Sequence, residues 1–131
     1  MRIPKKNLAP RYVREEGITS YLLASSLTSD AKHVTTTLVE IRAGARQQIH
    51  SHLPEQVYFI LEGSGMMTVR DDRERVGPGD CIFIPSKAPH GLENDGDLIL
   101  RYFSAASPSF ERDELEKLWP LESESEKGDR S

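Results

Sequence analysis

The chain has a single cysteine, Cys81, in 131 residues. No disulfide can form within it, and its cysteine usage gives no sign of secretion. It also lacks a long apolar run: nothing in it approaches the ~18 residues that a membrane-spanning helix needs. The first residues, MRIPKKNLAPRYVREEG, carry charges but no apolar segment of the kind a secretory leader has. Positive charge is not in excess either. Against 17 Lys and Arg stand 21 Asp and Glu, a net charge of −4, which disfavours a nucleic-acid partner. These absences predict a cytoplasmic protein without nucleic-acid or membrane partners. With 37% hydrophobic residues, a chain of this length fits one domain around one modest core.

What is present is a series of short β-type runs separated by turn residues. Residues 1–17, with Pro4 and Pro10 and many charges, are expected to form an irregular arm. Strands are predicted at Ile18–Leu27, His33–Arg42, Gln47–His52 and Gln56–Leu61, then at Gly65–Arg70 and Glu74–Val76. Cys81–Ile84, His90–Glu93 and Leu98–Phe103 complete the set. Gly63 and Gly65, Asp71-Asp72, Gly77-Pro78-Gly79-Asp80 and Asn94-Asp95-Gly96 supply the turns. Many short strands with such punctuation predict an all-β sandwich or barrel over residues 18–106. One helix is predicted within 107–120: Ser107 can cap it, Pro108 suits its first position, Leu115, Leu118 and Trp119 make an apolar stripe, and Pro120 stops it. The last residues, LESESEKGDRS at 121–131, are polar and biased enough to predict disorder.

Three of the four histidines fall in two stretches. In GARQQIHSHLPEQVYFILEG, Gly44 to Gly63, His50 and His52 are two residues apart. On a strand they would project to one face, about 7 Å apart at Cα. Neutral imidazoles suit zinc, copper, iron or nickel, so the pair is half of a metal site. The second stretch, GDCIFIPSKAPHGLEN, Gly79 to Asn94, carries His90. His33 reads as a surface residue.

Together the stretches resemble the two signature motifs of the cupin superfamily. Gly44, His50, His52 and Gly63 match the first, with Gln56 where the family pattern has Glu. Gly79, Pro85, His90 and Asn94 match the second, with Lys87 where the pattern has Gly. The resemblance covers about residues 35–105. It implies a jelly-roll barrel (a double-stranded β-helix), one divalent metal ion (Fe, Mn, Zn or Ni) on His50, His52 and His90, and a homodimer. Gln56 is the candidate fourth ligand, through its amide oxygen. Two alternatives stand beside that: Gln56 hydrogen-bonding outside the ligand set, or Glu55 reaching the metal through a bulge.

Alternation places Gln56, Tyr58 and Ile60 on one face and Val57, Phe59 and Leu61 on the other. The second row is expected to be covered, by the chain's own arm or helix or by a second copy. Tyr58 is the candidate proton carrier, or else a buried, hydrogen-bonded tyrosine. Gln48 shares parity with His50 and His52 and is expected to face the pocket. Arg101 is a candidate anion contact, with a rim ion pair as the alternative. Tyr102, on the opposite face, is a third candidate substrate contact. Cys81 reads as a small core residue. Lys87 is expected at the pocket mouth, and 71–75 as a solvated hairpin.

A neutral Gln in place of Glu leaves the full +2 on the ion, which favours Lewis-acid over redox chemistry. The leading expectation is therefore an enzyme polarising a small oxygenated or anionic metabolite, for isomerisation, lyase chemistry or sugar-acid ring opening. A non-haem iron dioxygenase and a non-catalytic small-ligand binder are the alternatives.

Overall fold

The computed structural model describes residues 1–14 and 17–119. After a 3-10 turn at Lys6–Leu8, the strands in chain order are β1 (Arg11–Arg14), β2 (Ile18–Leu22), β3 (Thr35–Ile41), β4 (Glu55–Glu62), β5 (Gly65–Val69), β6 (Asp72–Val76), β7 (Cys81–Ile84), β8 (His90–Glu93) and β9 (Leu100–Ser107). They form two antiparallel sheets, β1-β2-β3-β9-β4-β7 and β6-β5-β8, followed by one helix, α1 (Arg112–Leu118). The architecture is an all-β jelly-roll barrel with a short C-terminal helix.

Period-two patterning builds the core. On β3, Thr35, Thr37, Val39 and Ile41 point inward, and on β9, Leu100, Tyr102, Ser104 and Ala106 do. Between the sheets, Ile18, Val39, Ile41, Tyr58, Ile60, Ile84, Leu100 and Tyr102 meet Met67, Val76 and Leu92. Each large aliphatic buried this way contributes about 1.5–3 kcal/mol. A second cluster, Leu22, Leu115 and Trp119, docks α1 on the barrel, and the Trp119 indole donates to the Ser20 carbonyl at 3.1 Å. Asn94, fully buried, ties the end of the second motif in place: its Nδ2 donates to the carbonyls of Ile41 and Leu98, both at 2.9 Å.

The structure corrects several sequence expectations. The arm is not wholly irregular, because β1 pairs along β2 from Arg11↔Tyr21 to Arg14↔Ile18. The hairpin after β5 turns at Arg70-Asp71, with Arg70 at φ 55°, rather than at Asp71-Asp72. The helix starts later than expected: Glu111 is its N-cap, and Ser107 and Pro108 precede it. Cys81 is exposed, because β7 is an edge strand whose outer face nothing covers among the described residues. The expected disordered tail, 121–131, and Pro120 lie outside the described residues.

Segment 47–52 is not a regular strand. Arg46 bridges Glu93 and His50 bridges His90, so four steps on one side answer three on the other. One extra residue is accommodated there, which makes a bulge. Gly91 permits it: a Cβ at that position would sit 3.0 Å from both the Gln47 carbonyl and Ile49 Cδ1.

On the larger sheet's outer face, Tyr21, Leu38, Phe103, Phe59 and Cys81 are successive register partners. Phe59 is 42% exposed, Leu61 47% and Phe83 56%, so neither arm nor helix covers this row.

Candidate metal centre

His50, on the bulge, is brought opposite His90, at the start of β8, and His52 follows before the turn into β4. One ring nitrogen from each of the three lies within 4.8 Å of the others. The ring centroids of His50 and His90 are 4.3 Å apart, and those of His52 and His90 4.9 Å. His90 is fully buried, whereas His50 and His52 are partly exposed.

The backbone sets the tautomer. Nδ1 of His50 faces the Gln48 carbonyl at 2.9 Å, Nδ1 of His52 the Pro54 carbonyl at 2.9 Å, and Nδ1 of His90 the Ala88 carbonyl at 2.8 Å. A carbonyl oxygen only accepts, so each Nδ1 carries the proton and each lone pair sits on Nε2. Such outer-shell bonds fix the orientation and raise the basicity of metal-ligating histidines. The donor set suits a borderline divalent ion of the iron-to-zinc series.

Gln56, Tyr58 and Ile60 face inward on β4, as alternation predicts, and Glu55 faces out. Gln56 is 8% exposed; its Nε2 donates to the Ser104 hydroxyl at 2.7 Å, and its Oε1 has no hydrogen-bond partner among the described residues. A buried oxygen acceptor left without a donor is costly unless something else satisfies it, and a metal ion can. Tyr58 is 2% exposed, edge-on to His90 with centroids 6.1 Å apart and stacked on Tyr102 at 4.1 Å.

Two candidate substrate contacts are placed elsewhere. The bulge reverses parity upstream of His50, so Gln47 is buried and Gln48 is exposed. The buried Gln47 donates through Nε2 to the Tyr102 hydroxyl at 2.6 Å. Arg101 lies on the outer face of β9, bound to Glu40 at 2.7 Å and to Glu62. Tyr102 does face inward. Sequence reasoning missed Gln47 and Phe110; the ring of Phe110 is edge-on to His52 at 5.2 Å.

The Glu40 carboxyl is pushed up by burial, but hydrogen bonds from Arg101 and Tyr21 and the charges of Lys6 and Arg101 outweigh this and hold it below the usual value. Arg101→Leu is therefore expected to cost about 1 kcal/mol near neutral pH, discounted for its partial exposure. A depressed carboxylate stabilises fully above its unfolded pKa, about 4.5, and loses that contribution as pH falls through its lowered folded value. The difference between variant and wild type in urea unfolding should shrink in that acid window, while metal affinity stays unchanged. A fall in metal affinity would contradict the outer placement of Arg101.

A sequence profile of the cupin domain matches residues 37–105. An uncharacterized protein of Methanocaldococcus jannaschii is 30% identical over 112 residues, covering 85% of this chain and 89% of its own length. The dimethylsulfoniopropionate lyase DddW of Ruegeria pomeroyi is 31% identical over 74 residues, 56% of this chain and 49% of the lyase, so the match spans about half of that relative. Among solved structures, the polyketide cyclase RemF from Streptomyces resistomycificus is 25% identical, with a TM-score of 0.71, over 88% of this chain and 91% of the cyclase.

Proposed function

This chain belongs to the cupin family, and on that premise we propose that it is an enzyme using one divalent metal ion as a Lewis acid on a small oxygenated metabolite. The observation that carries this reading is the convergence of three imidazoles whose protons are all held on Nδ1 by backbone carbonyls. His50, His52 and His90 would hold the ion through Nε2, with Gln56 Oε1 as a neutral fourth ligand. An ion so held polarises a carbonyl or carboxylate oxygen and acidifies the adjacent C–H.

The chain's own residues would do the rest. Tyr58, beside His90, takes or returns a proton at Oη. Tyr102 stacks on Tyr58, and Gln47 pins the Tyr102 hydroxyl, so the pair fixes the proton carrier's orientation. Among the described buried residues there is no Lys or Arg, so an anionic group on the substrate would look to the ion for its countercharge.

Of isomerisation, lyase chemistry and ring opening, we favour the lyase reading. Removing a proton next to a polarised carboxylate expels a leaving group one carbon further on, and a relative of this chain is a lyase. The test is elemental analysis of the purified protein, then product and oxygen measurements on protein loaded with Fe, Mn, Zn or Ni and given β-substituted carboxylates, dimethylsulfoniopropionate among them. Turnover without oxygen uptake is expected. Oxygen consumption coupled to turnover would sink the Lewis-acid reading.

We also propose that the uncovered outer row on β4 and β7 pairs with a second copy of this chain. Exposed Phe59, Leu61 and Phe83 on the outer face of this sheet are the kind of apolar patch that marks an interface. Phe59→Lys is expected to convert a sedimenting dimer to monomer. A wild-type protein already monomeric at micromolar concentration removes the idea.

A further inference from the structure

A residue outside both motif stretches lies against the three histidines. Phe110 holds its ring edge-on to His52, with the two planes at 83°. Its position is fixed from both sides. Thr35, 1% exposed, accepts the Phe110 backbone N–H at 3.1 Å and shares a 2.8 Å hydrogen bond with the Ser109 hydroxyl. The ring itself packs against the cluster of Leu22, Leu115 and Trp119 that docks α1. The strap from β9 to α1 is thus tied down both before and after the ring. His90 is buried while His50 and His52 are partly exposed, so the trio is open on the His50–His52 side, where Phe110 lies against His52.

We propose that Phe110 is the specificity-determining residue of this centre. Its ring excludes bulky substituents on the His52 side, so that the site takes compact oxygen-donor ligands such as small carboxylates. Thr35 is the positioning residue that holds the strap in place. The ligand class rests on the metal reading above; the shielding of His52 does not.

Two measurements separate them. In metal-free protein, the rate at which diethyl pyrocarbonate modifies His52 is read by peptide mass spectrometry and normalised to the exposed His33. Phe110→Ala is expected to raise that ratio several-fold. Phe110→Leu, which keeps an apolar anchor and so guards against misfolding, should raise it less. Thr35→Val should raise it with the ring still present. In cobalt(II)-loaded protein, the visible spectrum is titrated with acetate and with benzoate. Wild type should prefer acetate, and Phe110→Ala should narrow the gap. An unchanged His52 ratio in both Phe110 variants, or the same acetate preference in wild type and Phe110→Ala, overturns the proposal. If wild type takes up no cobalt, the metal reading fails and the His52 ratio alone decides the shield.

Discussion

Alanine at His50 is expected to abolish stoichiometric metal binding while leaving the barrel folded. His50 is one of only three nitrogen donors in the cluster, so its loss removes a ligand rather than an outer-shell support. The effect should exceed the ~10–100-fold that losing an outer-shell partner costs. Its partial exposure and its place on the bulge, outside the two sheets, mean that the side chain contributes little to the packed core. His90→Ala should lose metal equally but also destabilise, because it empties a fully buried position. Competition with a chelator, read alongside thermal unfolding, distinguishes the two. Equal metal content in wild type and His50→Ala by elemental analysis would remove the assignment.

Glutamate at Gln56 is expected to move metal affinity and apo stability in opposite directions. The shape is nearly conserved, and one negative charge is added on the buried inner wall of β4. Across a few ångströms that charge attracts each unit of positive charge by about 1 kcal/mol in a water-like medium and about 4 at a surface-like dielectric. Metal binding should therefore tighten, and an anionic substrate should bind more weakly. Without metal, the Ser104 hydroxyl must turn from acceptor to donor and the carboxylate is left buried, so the melting temperature of the apoprotein should fall. Gln56→Ala should weaken metal and substrate together. If wild type and both variants bind metal with the same affinity, Gln56 is no ligand, and the argument from a neutral fourth donor goes with it.

How far the sequence could be read depended on whether the local backbone was regular. On β4 the alternation of EQVYFILE placed Gln56 and Tyr58 inside and Phe59 and Leu61 outside: Gln56–Phe59 pair with both β7 and β9, which pins their faces, and the register with β9 shifts only between Ile60 and Glu62. The same parity argument failed just upstream at Gln48. The bulge there contains no Gly or Pro to announce it, and its enabling residue, Gly91, lies on the partner strand. β1 was hidden by its charges, yet Arg11–Arg14 suits an edge strand, which needs one partner and tolerates cationic side chains. The spacing of the histidines was legible, but their tautomer was not, since it is set by carbonyls whose direction only the folded backbone defines. Phe110 was invisible for a related reason: it meets His52 only because Thr35 and the Leu22 cluster hold the strap down.

The place of β9 has a consequence for how this molecule comes into being. It lies between β3 and β4, so the last strand among the described residues joins the two halves of the larger sheet. Leu38 waits for Phe103, and Tyr58 for Ser104. Pairings so distant in sequence make folding slow, on a scale of about milliseconds to seconds. During synthesis, at roughly 5–20 residues per second, β3 and β4 present open edges for the time needed to make everything after them. A ribosome stalled before Leu100 would carry two unjoined half-sheets, prone to capture by other nascent chains.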